Sequence, residues 1–107
     1  MLSIQEVSKN RQTFSETDQS IAGVFKVLSD VNRYRIFRLL IEQPKLSVSD
    51  ISQILDISLP LASQHIKKLT DSDLLQKERD GKKIFTRLKH KNPFVPGIVR
   101  TIQETIK

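Results

Sequence analysis

Residues 58–71, SLPLASQHIKKLTD, have the pattern of an amphipathic helix with one polar, basic face. Ser58 is a favourable N-cap, and Pro60 falls in the first turn, where a missing backbone N–H costs little. Apolar residues recur at spacings of three and four on one face: Leu59, Ala62, Ile66 and Leu69. The opposite face carries Ser63, Gln64, Lys67 and Lys68. Such a helix can rest on a core while its polar face reaches base edges and phosphates, as a DNA recognition helix does.

The residues just before this stretch predict a shorter helix joined to it by a tight turn. Ser47-Val48-Ser49-Asp50 has the capping-box pattern, with an acid three residues after the Ser cap. Asp56-Ile57-Ser58 forms a three-residue turn, and Asp56 tolerates the left-handed conformation that such turns often require. Two helices joined in this way form a helix-turn-helix, whose second helix enters the major groove of DNA.

Beyond Asp73 the periodicity becomes alternating, which predicts a β-hairpin. Residues 74–79 and 82–88 are the predicted strands, and Asp80-Gly81 between them is a strong hairpin-turn signal. The tip carries three basic residues, Arg79, Lys82 and Lys83. A basic hairpin directly after a helix-turn-helix is the wing of a winged helix, and we expect it to contact the DNA backbone or minor groove.

Three more helical segments complete a predicted fold that is mainly α with a small β-hairpin, a winged helix-turn-helix in the order α-α-α-α-β-β-α. The first starts at Thr17, and the second, 31–42, has Asp30 as its N-cap. Asn92-Pro93 starts the last helix. Residues 1–16 leave two alternatives, a short helix packed on a partner or a disordered segment.

The last helix has a broad apolar stripe that one small core has little room to cover. We expect it to pack on a second copy of the chain; packing within one chain alone is the alternative. The predicted dimer interface is Ile21, Val24, Phe25, Phe94, Val95, Ile98, Val99, Ile102 and Ile106. A two-fold homodimer would present two recognition helices to a two-fold-symmetric operator. The predicted organisation is an N-terminal extension, partly ordered or packed in the dimer (1–16), a DNA-binding domain (17–91) and a dimerisation helix (92–107).

Positive charge is concentrated in the predicted recognition helix and wing. Residues 67–91 hold nine Lys or Arg and four acids, a net charge of +5, whereas the rest of the chain holds nine basic and eight acidic residues, a net of +1. Such a block is typical of a surface that binds a polyanion.

The residues that several classes of function require are absent from this sequence. There is no cysteine, which excludes disulfides, thiol catalysis and thiolate metal sites. No Gly-rich phosphate loop and no set of His, acid and nucleophile is present, so we expect no enzyme. We also see no signal peptide and no membrane-spanning run, and we expect a cytoplasmic protein with no membrane partner.

Three segments in the same order resemble the ArsR/SmtB family of bacterial and archaeal winged-helix repressors. Residues 28–36, LSDVNRYRI, are similar to the family's LSDPTRLRI, and residues 58–69 are similar to SQSTVSRHLKKL. Residues 80–88, DGKKIFTRL, are similar to EGRWVYYRL. The resemblance covers residues 24–88 and implies a homodimeric repressor that leaves DNA when an inducer binds.

The resemblance does not extend to the family's metal sites. The family's CVCD motif reads Ser47-Val48-Ser49-Asp50 here, and hydroxyls are poor ligands for soft or borderline metals. The family's other site uses Asp, His and Glu around the last helix, where this chain offers only His90 and Glu104. These are too few ligands for a tetrahedral site, so we expect no metal and no cofactor.

The candidate DNA-binding residues are Ser58, Leu61, Ser63, Gln64, His65, Lys67, Lys68, Arg79, Lys82 and Lys83. Ser63 and Gln64 are expected at bases, since Gln can pair with adenine and Ser with several bases; solvent-facing roles are the alternative. The lysines and Arg79 are expected at phosphates. His65 either binds a phosphate or packs at the helix edge, and Leu61 either touches a thymine methyl or joins the core. Arg33 either faces DNA or pairs with an acid in the chain.

A second function class stays open, a winged-helix module that binds another protein instead of DNA. A protein-binding wing needs no block of charge +5, which argues against this alternative. The salt dependence of the binding affinity distinguishes the two classes. Binding through several phosphates weakens steeply as salt rises, whereas binding through an apolar protein interface barely changes.

Overall fold

Four helices, a hairpin and a final helix follow one another as predicted, with one further helix at the start. The computed structural model describes residues 1–106. Its elements are α1 (Ile4–Arg11), α2 (Thr17–Leu28), α3 (Val31–Glu42), α4 (Val48–Leu55), α5 (Leu59–Asp71), β1 (Leu75–Asp80), β2 (Lys83–Leu88) and α6 (Phe94–Thr105). The predicted winged helix-turn-helix is confirmed. Lys107, the end of the predicted C-terminal segment, lies outside the described residues.

Side-chain caps fix where the central helices begin. The Asp30 carboxylate accepts two backbone N–H groups in the first turn of α3. Ser47 and Asp50 form a reciprocal capping box at α4, each accepting the other's backbone N–H at 3.1 Å. The N–H of Ser47 and its hydroxyl hold the pKa of Asp50 below its ordinary value. Ser58 accepts the N–H of Leu61 at 3.2 Å and caps α5. These bonds satisfy donors that a helix start otherwise leaves unpaired.

The turn between α4 and α5 depends on Asp56, which adopts the left-handed conformation that the sequence predicted (φ 54°, ψ 49°). Ser52 closes the turn, because its hydroxyl donates to the Ile57 carbonyl at 2.6 Å and its carbonyl accepts the Ile57 N–H at 3.1 Å. This turn sets the direction in which α5 leaves α4.

We expect Asp56→Val to lower the free energy of unfolding by about 1–2 kcal/mol, because a β-branched residue is strained at positive φ. Asp56→Gly removes the same carboxylate but accepts this backbone conformation, so we expect it to be neutral or slightly stabilising. Urea unfolding of both variants measures the difference. Equal stability of the two variants would contradict a role for backbone conformation here.

The core lies where α3 and α5 meet the hairpin and α6. Its fully buried members include one aromatic residue, Phe37, and eight large aliphatic residues: Ile36, Ile51, Ile66, Leu69, Leu74, Leu75, Leu88 and Val95. The hairpin is antiparallel and pairs Leu75 with Leu88 at its base and Asp80 with Lys83 at its tip. Both strands begin one residue later than predicted.

Four predicted positions differ in burial from the expectation. Val24, Val95 and Ile102 were expected in a dimer interface, but each is buried within the single chain, where Val24 and Ile102 also line an apolar groove between α2 and α6. The reason is that α6 packs against α3, so part of its apolar stripe is covered internally. Leu59 was expected on the buried face of α5 but is 49% exposed, since it lies at the very start of the helix. His65 completes the buried face instead.

The N-terminal helix α1 stands apart from the core. None of its residues is buried, although Ser3 and Glu6 form a complete capping box at its start. This Ser-x-x-Glu signal is present in the sequence and favours the helix of the two alternatives for residues 1–16. The described chain measures 61 × 30 × 24 Å. Within residues 1–106, no helix is long and apolar enough to cross a lipid bilayer.

Candidate nucleic-acid interface

The polar face of α5 is open to solvent while the opposite face is part of the core. The buried face consists of Ala62, His65, Ile66 and Leu69, and the exposed face includes Ser63, Gln64, Lys67 and Lys68. At about 3.6 residues per turn, Gln64 lies in the middle of the exposed face. Leu61 is exposed at one edge and does not join the core. The arrangement leaves room for α5 to enter a groove.

One edge of this face joins the wing. Ser63 and Lys67 line a recess of about 470 Å³ together with Val48 of α4 and Lys77 of β1. Lys77 was counted in the basic block but was not among the predicted contacts. The sequence placed Lys77 in the first strand of the hairpin. It did not show which face of the hairpin turns towards α5, so this contact was not predicted.

The other edge of the face lies beside α2. Lys68 lines a separate recess of about 340 Å³ with Lys26 and Arg33. Lys67 and Lys68 therefore lie towards opposite edges of the exposed face, although they are neighbours in sequence. Lys26 was also missed, because it is 42 positions away from Lys68 and only the tertiary fold brings the two together.

His65 and Arg33 bind each other inside the chain. His65 is 9% exposed, and its Nδ1 lies 3.4 Å from an Arg33 Nη1. Arg33 Nε also donates to the Val27 carbonyl at 2.7 Å, so the end of α2 is tied to the middle of α5. His65 is thus packed against Arg33. Arg33, which was predicted either to face DNA or to pair with an acid, binds the Val27 carbonyl. The backbone N–H of Arg33 holds the pKa of Asp30 below its ordinary value.

The wing presents three basic residues around a tight turn. Gly81 adopts a positive φ of 64°, which suits the two-residue hairpin loop. Arg79, Lys82 and Lys83 at the tip are all exposed. The structure thus places the three predicted wing residues around one tight turn.

The acids of the basic block are neutralised locally. Each of the four acids in residues 67–91 forms an ion pair, and three of the nine basic residues in that range take part: Lys67, Arg87 and Lys89. The remaining six have no carboxylate within 4.0 Å among residues 1–106: Lys68, Lys77, Arg79, Lys82, Lys83 and Lys91. Basic side chains without a carboxylate partner therefore outnumber the paired ones in residues 67–91.

Asp71 places one carboxylate on the exposed face of α5. It pairs with Lys67 at 3.0 Å, and both side chains are more than half exposed. Such surface pairs contribute little to stability. The pair therefore restrains a lysine that is a candidate for phosphate binding.

We expect Asp71→Asn to tighten DNA binding by about two- to fivefold, because it releases Lys67 and removes a charge that repels phosphate. Fluorescence anisotropy with a labelled duplex measures the change. Glu104→Gln on α6 removes the same charge far from α5 and serves as the control. Unchanged or weaker binding by Asp71→Asn would contradict the placement of this face on DNA.

A second, apolar surface lies between α2 and α6. A groove of about 520 Å³ is lined by Phe25, Leu28, Tyr34, Phe94 and Ile98, among others. Phe25 is 70% exposed, and Ile21 and Ile106 are also exposed. Of the predicted interface positions, Ile21, Phe25 and Ile106 are exposed in the single chain, and Phe94, Ile98 and Val99 are half-buried.

The positions of the family's metal sites hold no ligand cluster. Within residues 1–106, no group of three or more His, Asp or Glu is placed to bind a metal ion. Ser47 is occupied as the cap of α4, and Asp50 completes that capping box. The residues present do not fit a metal at the start of α4.

The comparisons of this chain with known proteins agree with one another on the family. A helix-turn-helix domain family model matches residues 28–78. The cadmium resistance transcriptional regulatory protein CadC of Listeria innocua is 35% identical over 71 residues, which cover 66% of this chain and 60% of the relative. The arsenical resistance operon repressor of Staphylococcus aureus is 32% identical over 72 residues, which cover 67% of this chain and 68% of the repressor.

A solved structure shares the fold over almost the whole chain. It is the homodimeric winged helix-turn-helix DNA-binding domain of a possible ArsR-family transcriptional regulator from Mycobacterium bovis. The TM-score is 0.71 at 21% identity, and the match covers 99% of this chain and 88% of that chain. The chain spans about 60% of the length of the cadmium regulator that it matches. By its sequence match to the arsenical repressor and its winged helix-turn-helix fold, the chain belongs to the ArsR family of transcriptional regulators.

Proposed function

We propose that the protein is a homodimeric, sequence-specific DNA-binding repressor of transcription that lacks the cysteine metal site of its family. The observation that carries this proposal is the exposed polar face of α5 together with a wing tip whose basic residues, Arg79, Lys82 and Lys83, have no carboxylate within 4.0 Å among residues 1–106. A regulator of this kind is not an enzyme, and it would act in the cytoplasm on double-stranded DNA.

The residues divide by the kind of contact that they would make. Gln64 and Ser63, in the middle of the exposed face and at its wing side, would read base edges in the major groove. The basic residues would bind phosphates and fix the position of the protein on the duplex: Lys67, Lys68, Lys77, Arg79, Lys82 and Lys83. Leu61 at the edge of the face would contact a thymine methyl group. Ser58 would keep its role as cap and orient the first turn of α5.

The dimer would use the apolar surface that the single chain leaves open. Phe25 and Ile21 of α2 and the accessible stripe of α6 would pack on the same residues of the partner around a two-fold axis. The exposed apolar residues of α1, Ile4 and Val7, would add to this contact and explain why the helix is unpacked in one chain. Residues 1–16 and 92–107 would then serve the dimer, and residues 17–91 would serve DNA binding.

The test is a titration of the purified protein against DNA from upstream of its own gene and against random duplexes, at several salt concentrations. We expect tight, salt-sensitive and sequence-dependent binding that zinc and chelators do not change. Sedimentation in the same buffer should give the mass of two chains. Binding that ignores salt would favour the protein-interaction alternative, and release by zinc would contradict the absence of a metal site.

A further inference from the structure

Lys45, in the connection between α3 and α4, reaches the wing from outside the recognition elements. Its Nζ lies 3.3 Å from the Asp80 Oδ2 and 3.9 Å from the Glu78 Oε2. The same Nζ lies 4.8 Å from the centre of the Phe85 ring, within the range of a cation–π contact. One lysine therefore contacts two carboxylates and an aromatic ring of the hairpin.

The backbone next to Lys45 is fixed to the same hairpin. Leu46 and Thr86 form an isolated antiparallel bridge, in which the Leu46 N–H donates to the Thr86 carbonyl at 3.1 Å and the Thr86 N–H donates back at 2.7 Å. Thr86 is buried. This bridge fixes the backbone at Leu46 beside the hairpin. Lys45 therefore loses less conformational entropy when it contacts the wing than a residue in a mobile loop would.

The carboxylates of Glu78 and Asp80 differ in whether they have an ion-pair partner besides Lys45. Glu78 also pairs with Arg87 at 3.2 Å on the neighbouring strand. Asp80 has Lys45 as its one ion-pair partner among residues 1–106. Asp80 is the register partner of Lys83, one of the cations at the wing tip. If Lys45 were absent, the nearest cation available to the Asp80 carboxylate would be at the wing tip itself.

We propose that Lys45 is a positioning residue for DNA binding, which occupies the Asp80 carboxylate and so leaves Lys82 and Lys83 free for phosphate. This inference rests on the proposed function and adds to it a residue that lies outside the helix-turn-helix and the wing. Lys45 acts through Asp80 and not by touching DNA. Its effect must therefore disappear when Asp80 carries no charge.

The experiment is a double-mutant cycle on DNA affinity with the full chain. Lys45→Met keeps the aliphatic stem and leaves the Leu46 bridge in place. We expect it to weaken binding about fivefold at about 0.15 M salt, the effect of losing one phosphate contact. In an Asp80→Asn background, we expect Lys45→Met to change affinity by less than about twofold.

Lys89→Met is the matched control, because it removes one lysine from an ion pair with Asp73 at the base of the hairpin. We expect it to leave affinity within about twofold of the wild type. An equal loss from Lys45→Met in both backgrounds would mean a direct phosphate contact and would overturn the inference. No loss in the native background would overturn it as well. These two results leave the proposed function intact if the wild type binds DNA, whereas a wild type that does not bind DNA overturns both.

Discussion

Replacing Lys82 and Lys83 together with glutamine is expected to lower affinity for DNA about 30-fold at about 0.15 M salt. Both lysines are exposed at the wing tip, and neither has a carboxylate within 4.0 Å among residues 1–106. Each phosphate contact adds about 0.9 to the salt slope, which corresponds to roughly fivefold in affinity at this salt concentration. Two independent contacts multiply to the expected loss.

The salt dependence identifies the cause of that loss. We expect the slope of log affinity against log salt to fall by about 2 in the double variant, and the loss to be the same for operator and random duplexes. Arg38→Gln with Arg100→Gln removes the same charge from α3 and α6, away from the wing, and should leave the slope unchanged. A loss without a change in slope would mean that the wing acts on α5 and not on phosphate.

The local features of the fold could be predicted because their causes are local. Ser47 with Asp50, Asp56 and Ser58 each act within a few residues, through a cap or a turn. Apolar spacing located the helices, and alternation located the hairpin to within one residue. The capping box of Ser3 was not predicted, because the segment around it is mostly polar.

The interior positions were harder to predict because helical spacing shows a face and not what covers it. Val95 and Ile102 lie on the same apolar stripe as Ile106, yet the first two are buried and the third is exposed. His65 has a polar side chain, and only its place between the core and Arg33 explains its burial.

The candidate interface was predictable within single elements and not between them. The exposed face of α5 and the tip of the wing each lie within one short segment, and both could be predicted from local spacing. Lys26, Lys45 and Lys77 reach the interface from other elements, through contacts that only the tertiary fold creates. Long-range electrostatic neighbours of this kind leave no local pattern.

Gln64 should distinguish sequence reading from general attraction to DNA. It lies in the middle of the exposed face of α5 and forms no side-chain hydrogen bond within residues 1–106. We expect Gln64→Ala to weaken operator binding by about 5- to 150-fold, since a bidentate base contact contributes about 1–3 kcal/mol of discrimination. Alanine keeps the helix propensity, so stability should not fall.

Random duplexes provide the internal comparison for this variant. Their binding depends on phosphate contacts, so we expect Gln64→Ala to change it by less than about twofold and to leave the salt slope as in the wild type. Gln103→Ala removes the same amide from the exposed side of α6 and should affect neither duplex. Competition of labelled operator against random DNA measures the ratio directly. An equal loss on both duplexes would place Gln64 at a phosphate, and Ser63 would then be the remaining candidate of the pair for reading bases.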